Sequence, residues 1–175
     1  MAIRVQNKFP DALIVHRLDM ATSGIMLMAL NKDIHRQLSI CFQDRKISKT
    51  YIALLDGLVE EESGVIDLPL ITDWPNRPKQ IVDFEAGKNS LTFYNVIERK
   101  INDETTRVEL LPQTGRTHQL RVHMQSIGHA IIGDRLYASS SAQDKSSRLL
   151  LHATQLSFTH PISAQTIDIK SDSPF

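Results

Sequence analysis

Two β-prone stretches, Leu91 to Arg99 and Thr105 to Leu111, flank the short polar run Asn102-Asp103-Glu104. β-branched and aromatic side chains are frequent on both sides, and Asn and Asp favour turns by bonding to nearby backbone. A hairpin is predicted there, and with it an antiparallel frame. Further strands are read at Ile25 to Leu30, a short apolar run, and at Thr50 to Leu55, which ends at Asp56-Gly57. Leu149 to Leu151, Leu156 to Thr159 and Thr166 to Ile169 read as closing strands, with Pro161 in the last connection. Glu60 to Pro78, rich in acids and prolines, is expected to be a loop with at most short strands. Ala138 to Ser147, rich in serine, is expected to be a surface loop.

Helical signals are fewer. Asn31 is placed to cap a helix with Asp33 in its first turn and Arg45 and Lys46 near its end. Ile34, Leu38, Cys41 and Phe42 recur at helical spacing, giving about three turns with Cys41 on the core stripe. Thr117 to Gly128 is ambiguous: Leu120, Val122 and Met124 alternate like a strand, while Leu120, Met124 and Ile127 fit a helix. Thr117 as a cap and Gly128 as a stop favour helix, which would put His118, Arg121 and Gln125 on one polar face. The fold class is α+β: one domain over 1–175, with a mixed, largely antiparallel sheet and flanking helices.

Composition bounds the function. With 41% hydrophobic and 23% charged residues among 175, the chain is of ordinary globular type. No apolar run approaches the ~20 residues of a membrane span, and no basic-then-apolar leader opens the sequence. The lone Cys41 cannot form an internal disulfide. The chain is read as soluble and cytoplasmic; an RNA binder is ordinarily basic, yet here 20 Lys+Arg balance 20 Asp+Glu. The charges are segregated instead: Lys32, Arg36, Arg45, Lys46 and Lys49 dominate one stretch, and Asp56, Glu60, Glu61, Glu62, Asp67 and Asp73 the next.

Two segments hold chemistry. Val15-His16-Arg17-Leu18-Asp19-Met20-Ala21-Thr22-Ser23-Gly24 packs a cation, an acid and hydroxyls into a turn, although an Asp beside Thr, Ser and Gly is ordinarily a turn-former. Leu111 to His123 joins a Gly turn to a capped helix, whose first N–H groups can meet an anion. His118 and His123 are five residues apart, a spacing that suits neither one helix face nor a His-Glu-x-x-His zinc site. No Gly-rich phosphate loop or nucleophile elbow is present.

His16-Arg17-Leu18-Asp19 with Thr22-Ser23-Gly24, then Lys49-Thr50-Tyr51, then Gly115 to His123 with Gly133-Asp134, resemble the ordered motifs of the RluA-type pseudouridine synthases. Asp73-Trp74-Pro75-Asn76-Arg77-Pro78-Lys79-Gln80 is similar to the founding RluA branch, which modifies a ribosomal RNA hairpin and the anticodon stem-loop of some transfer RNAs. The resemblance implies a pseudouridine synthase fold with its site in a cleft across the sheet. It implies Asp19 as the catalytic carboxylate, Arg121 as its ion-pairing partner, Tyr51 as the active-site aromatic and Arg17 as the wedge that fills the gap left by a flipped nucleotide. Lys46, Lys49, Arg77, Lys79, Arg116 and His118 are the implied RNA contacts. No cofactor or metal is expected, the partner is structured RNA, and the chain is expected to be a cytoplasmic monomer without membrane contact. Members of the family begin with a further strand segment bearing an Asn-Lys-Pro motif upstream of the His-Arg-Leu-Asp turn; only Met1 to Ala12 precede that region here, so the segment is expected to be missing.

Overall fold

A computed structural model describes residues 2–175. A short helix α1 (Ala2–Gln6) leads into three two-residue strands, β1 (Leu13–Ile14), β2 (Ser23–Gly24) and β3 (Met28–Ala29). Helix α2 (Lys32–Gln43) follows, then β4 (Ser48–Asp56), β5 (Ser63–Asp67), β6 (Leu70–Thr72), β7 (Gln80–Val82), β8 (Leu91–Lys100) and β9 (Thr105–Pro112). Helices α3 (Gln119–Ser126) and α4 (Ser140–Asp144) precede β10 (Leu151–Thr159) and β11 (Thr166–Lys170). The main sheet has the order β11-β10-β4-β9-β8-β5, and β2 adds to β10 as its one parallel partner. The architecture is the α+β, mixed and largely antiparallel sheet that the strand pattern predicts.

Local chemistry accounts for most of these elements. Asn31 caps α2, its Oδ1 accepting the Ile34 N–H at 2.9 Å. The α2 stripe of Ile34, Leu38, Cys41 and Phe42 packs with Ala29, Ile47, Leu156 and Phe158, so Cys41 serves the core. The predicted hairpin is the β8–β9 pair, closed by a 3-10 turn at Ile101–Asp103 with Glu104 in a left-handed conformation. The second core lies under α3, where Leu120 and Met124 meet Ala53, Leu55, Val108 and Leu110.

Four expectations need correction. Ile25 to Leu30 is not one strand: only Met28–Ala29 is, paired with β1, while Ile25 and Leu27 pack as irregular chain onto the α2 core. Leu149 and Leu150 precede the strand, and Leu151 joins Leu156–Thr159 in one continuous strand, β10, interrupted only by a bulge at Thr154. Ala138 to Ser147 contains α4, capped by the Ser139 side chain at Ala142 N–H. Thr117 does not cap α3; His118 holds the N-cap position at φ +54°, and the Gln119 side chain takes over by accepting the Arg116 N–H at 3.0 Å.

The bulge in β10 decides where a cleft can form. Ala153 lies opposite Tyr51 and Leu156 opposite Lys49, although these partners are three residues apart on one strand and two on the other. The extra residue keeps Leu151, Ala153, Leu156 and Phe158 on one face of the sheet. That face is covered at one end by α2 and at the other by α3. Lys49 and Tyr51 point into the gap between them.

Gly24 splices the loop before it onto this sheet. It pairs with Ala153 at φ +113°, and a Cβ there would lie 2.2 Å from the Ala153 carbonyl oxygen. Both the conformation and the close approach require glycine. Gly24→Ala is expected to cost roughly 1–3 kcal/mol, read as a lower urea midpoint; an unchanged midpoint would contradict this packing.

Candidate active site

A cleft of about 570 Å³ opens between the α2 and α3 covers. The turn Asp19–Thr22, closed by Thr22 N–H to Asp19 C=O at 3.0 Å, forms one wall, and the Gly115–Arg121 segment another. Tyr51 and Lys49 of β4 form the floor. Arg17, Arg45, Lys49, Arg116 and Arg121 line it, and Asp19 is its sole lining carboxylate among the described residues. A chain of zero net charge has thus set five of its 20 Lys and Arg around one acid. The acidic run Glu60–Glu62 sits by β5, at the opposite edge of the sheet from β11.

Arg121 is 5% exposed and Asp134 1%. The Nε and Nη2 of Arg121 donate to the two carboxylate oxygens of Asp134 at 2.7 and 2.6 Å. Asp134 Oδ1 also accepts the backbone N–H groups of Leu136 and Tyr137, at 2.9 and 3.2 Å. Two fork bonds and two backbone bonds satisfy a buried acid fully. With that edge of the guanidinium committed, Nη1 is left facing Asp19 Oδ2 at 3.7 Å. Beyond hydrogen-bond length, this is an ion pair across the cleft. Of the polar face expected on α3, Gln125 reaches solvent, His118 is half-buried and Arg121 is buried, as is His123, because the helix is enclosed on more than its sheet side.

The Tyr51 ring stands beside Asp19, and burial, then the Asp19 charge, push its phenol up to about 12. It stays protonated at neutral pH. Lys49 donates to the Thr114 carbonyl at 3.4 Å, and burial, then Arg45, hold its ammonium below the ordinary lysine range. His118 meets the Tyr137 hydroxyl through Nδ1 at 2.7 Å. Burial lowers its pKa, against the pull of Asp19.

The structure brings together Asp19, Tyr51, Arg121, Arg17, Lys49, Arg116 and His118. It leaves out Lys46, which is exposed and paired with Asp44 at 3.1 Å. Arg77 and Lys79 lie on the arm between β6 and β7, where the Arg77 guanidinium sits 4.6 Å over the Trp74 ring. Sequence reasoning missed Arg45, Asp134 as the fork partner, and Tyr137. Arg45 follows the helix end at φ +59°, a conformation that no periodicity signals. Asp134 stands thirteen positions from Arg121, and only the Gly133-Asp134 motif hinted at it.

Behind the cleft a polar network anchors α3. Gln119 accepts from Thr114 at 2.8 Å and donates to Thr92 Oγ1 at 3.0 Å and the Leu91 carbonyl at 3.1 Å. His123 Nδ1 meets Thr92 Oγ1 at 2.9 Å and its Nε2 the Leu68 carbonyl at 3.2 Å. His123 is thus a core residue with both nitrogens engaged. Among the described residues no group of three or more His, Cys, Asp or Glu is arranged to hold a metal. No described helix is long and apolar enough to cross a membrane.

His16 supports the Asp19 turn. It stacks on Phe42 at 4.5 Å and accepts the Leu27 N–H at Nε2, 2.9 Å away. Burial, then Lys49, push its pKa from 6.5 down to about 4. The unfolded chain therefore takes up this proton first, so stability is full above about pH 6.5 and falls as the pH drops towards 4. His118, His123 and His152 are lowered by burial too and act in the same direction. The melting temperature should decline across that window, with a shallower decline in His16→Asn; equal slopes for both proteins would refute the role of His16.

A family model described as RNA pseudouridylate synthase matches residues 4–126. The chain is similar to the dual-specificity RNA pseudouridine synthase RluA of Yersinia pestis, at 53% identity over 172 residues, which cover 98% of this chain and 83% of the relative. The protein of the same name from Escherichia coli K12 is 49% identical, with 98% and 78% covered. Among solved structures, human RNA pseudouridylate synthase domain containing 1 superposes with a TM-score of 0.86 at 32% identity, over 98% of this chain and 73% of that one.

Proposed function

The chain belongs to the RNA pseudouridylate synthase family, isomerases that turn uridine into pseudouridine within RNA, and we propose that Asp19 carries that reaction here. The conversion breaks the C1′–N1 bond, turns the uracil and joins C5 to C1′. Atoms and electrons balance without an oxidant. What the protein must supply is an extruded nucleotide and a carboxylate at the sugar. The observation that carries the assignment is a single acid, Asp19, facing the Arg121 guanidinium at 3.7 Å in a cleft whose other charged lining residues are cations.

Asp19 acts at the nucleoside, by covalent attack or by taking a sugar proton, and in both routes Arg121 balances its charge. Tyr51 presents its ring to the uracil, and its hydroxyl donates a hydrogen bond, since a phenol pushed up to about 12 is not a standing base. Arg17 is the wedge. Flipping costs a few kcal/mol, and least in a loop where the base is already poorly stacked. Lys49, Arg116, His118 and the newly recognised Arg45 contact the phosphates and sugars of the bound strand; Arg77 and Lys79 do so from the β6–β7 arm, and Lys46 at the rim. Residues 1–175 act as one catalytic domain, monomeric and cytoplasmic, on structured RNA. Likeness to relatives named dual-specificity supports a ribosomal RNA hairpin and a transfer RNA anticodon stem-loop as the substrates.

Asp19→Asn is expected to abolish pseudouridine formation while RNA affinity stays within a fewfold; turnover at the normal rate would reject the assignment. Arg17→Ala should reduce turnover on a folded hairpin far more than on an unstructured oligonucleotide. Equal losses on the two substrates would remove the wedge role.

A further inference from the structure

Tyr137 stands in the wall between the catalytic cleft and a second recess bounded by the β6–β7 arm, the latter lined by Lys79, Gln80 and Gln125. Its hydroxyl oxygen accepts the backbone N–H of Gln80 at 2.8 Å and lies 2.7 Å from His118 Nδ1. A backbone amide can only donate. The phenol hydrogen is therefore free to donate in turn, and His118 Nδ1 is the acceptor the structure offers it. The two rings meet edge-on, with centroids 5.6 Å apart at 81°. The Tyr137 ring is itself held beneath the Arg121 guanidinium, 5.0 Å from its centroid, and its N–H is tied to Asp134.

We propose that the Gln80 amide, acting through the Tyr137 hydroxyl, fixes His118 in the Nε2–H tautomer, so that this imidazole offers a neutral N–H donor to an oxygen of the nucleotide in the cleft. The proposal rests on the reading of the cleft as the uridine site. A neutral imidazole has one donor and one acceptor nitrogen; once Nδ1 accepts, Nε2 must donate. Among the described residues Nε2 has no protein partner, and it is not sealed from solvent: Thr105 Oγ1 alone among their side-chain polar atoms is both buried and unpartnered. The donor thus remains available to a ligand. The charged groups acting on His118 are Asp19 and Asp134, which favour its protonation, and Arg121 and Arg17, which oppose it; burial outweighs each of them and favours the neutral ring. Tyr137 touches no substrate and is a positioning residue. Because Gln80 ends the β6–β7 arm, the same contact ties an arm that bears Trp74, Arg77 and Lys79 to the wall of the catalytic cleft.

The test is the ring-nitrogen spectrum of His118 in ¹⁵N-labelled, RNA-free protein, with Tyr137→Phe as the variant. In the wild type, Nε2 should carry the proton and Nδ1 should resonate as an unprotonated nitrogen. In Tyr137→Phe, which keeps the ring under Arg121, the tautomers should mix, the His118 titration midpoint should rise, and kcat on a hairpin RNA should fall about fivefold at unchanged KM, the loss of one neutral hydrogen bond. An Nδ1–H tautomer in the wild type overturns the proposal even should the variant fail to fold, as does an unmoved midpoint in a folded variant. Asp19→Asn separates this from the catalytic assignment. The tautomer signature should persist in that inactive protein, so an active Asp19→Asn would reject the carboxylate role without touching the tautomer, and a wrong tautomer would leave the carboxylate role intact.

Discussion

The buried fork between Arg121 and Asp134 is the interaction on which the site depends. An arginine almost wholly removed from water needs a partner that matches its planar donors, and Asp134 meets two of them while accepting two backbone N–H groups of its own loop. The fork fixes α3 against the 134–137 loop and sets the plane of the guanidinium. Only one nitrogen, Nη1, then remains for the cleft, and it faces Asp19. The aromatic ring of Tyr137 closes the other side of that plane. The direction of the charge is therefore set by the fold before any RNA arrives, which is the sense in which a site is preorganised.

The sheet supplies the rest of the geometry by omission. Two helices cover one face but do not meet, and β4 sets Lys49 and Tyr51 in the gap, beside Leu151 of β10. A lysine held at the floor of such a gap, beside Arg45 and with no acid in contact among the described residues, is an electrostatic vacancy for a polyanion. The acidic run by β5 is at the far edge of the sheet, so the molecule carries a directional field in spite of its neutral total.

Much of this was legible in the residues. The Asn31 cap, the α2 stripe with Cys41 in it, and the β8–β9 hairpin follow from local rules that tertiary contacts do not override. The ordered motifs brought Asp19, Tyr51 and Arg121 to one cleft on paper as they are in space. Where the reading failed, the cause was non-local. The Thr154 bulge joins two apparent strands into one, and no dipeptide marks it. Helix α3 was read with His118, Arg121 and Gln125 on one polar face, whereas Arg121 is buried against a partner distant in sequence, Asp134, and His123 likewise against Thr92. His118 took the cap position from Thr117 because the Gln119 side chain satisfied the Arg116 amide from within the helix.

The outer edge of β10 is shared in relay. β2 pairs with His152 and Ala153, and beyond the bulge β11 pairs with Gln155 to Thr159. The loop that presents Asp19 is thus also what shields the first half of that strand. Unpaired strand edges invite pairing with another chain. A variant that frees this loop from β10 would therefore expose backbone amides as well as misplace a carboxylate, and self-association would accompany the loss of the site.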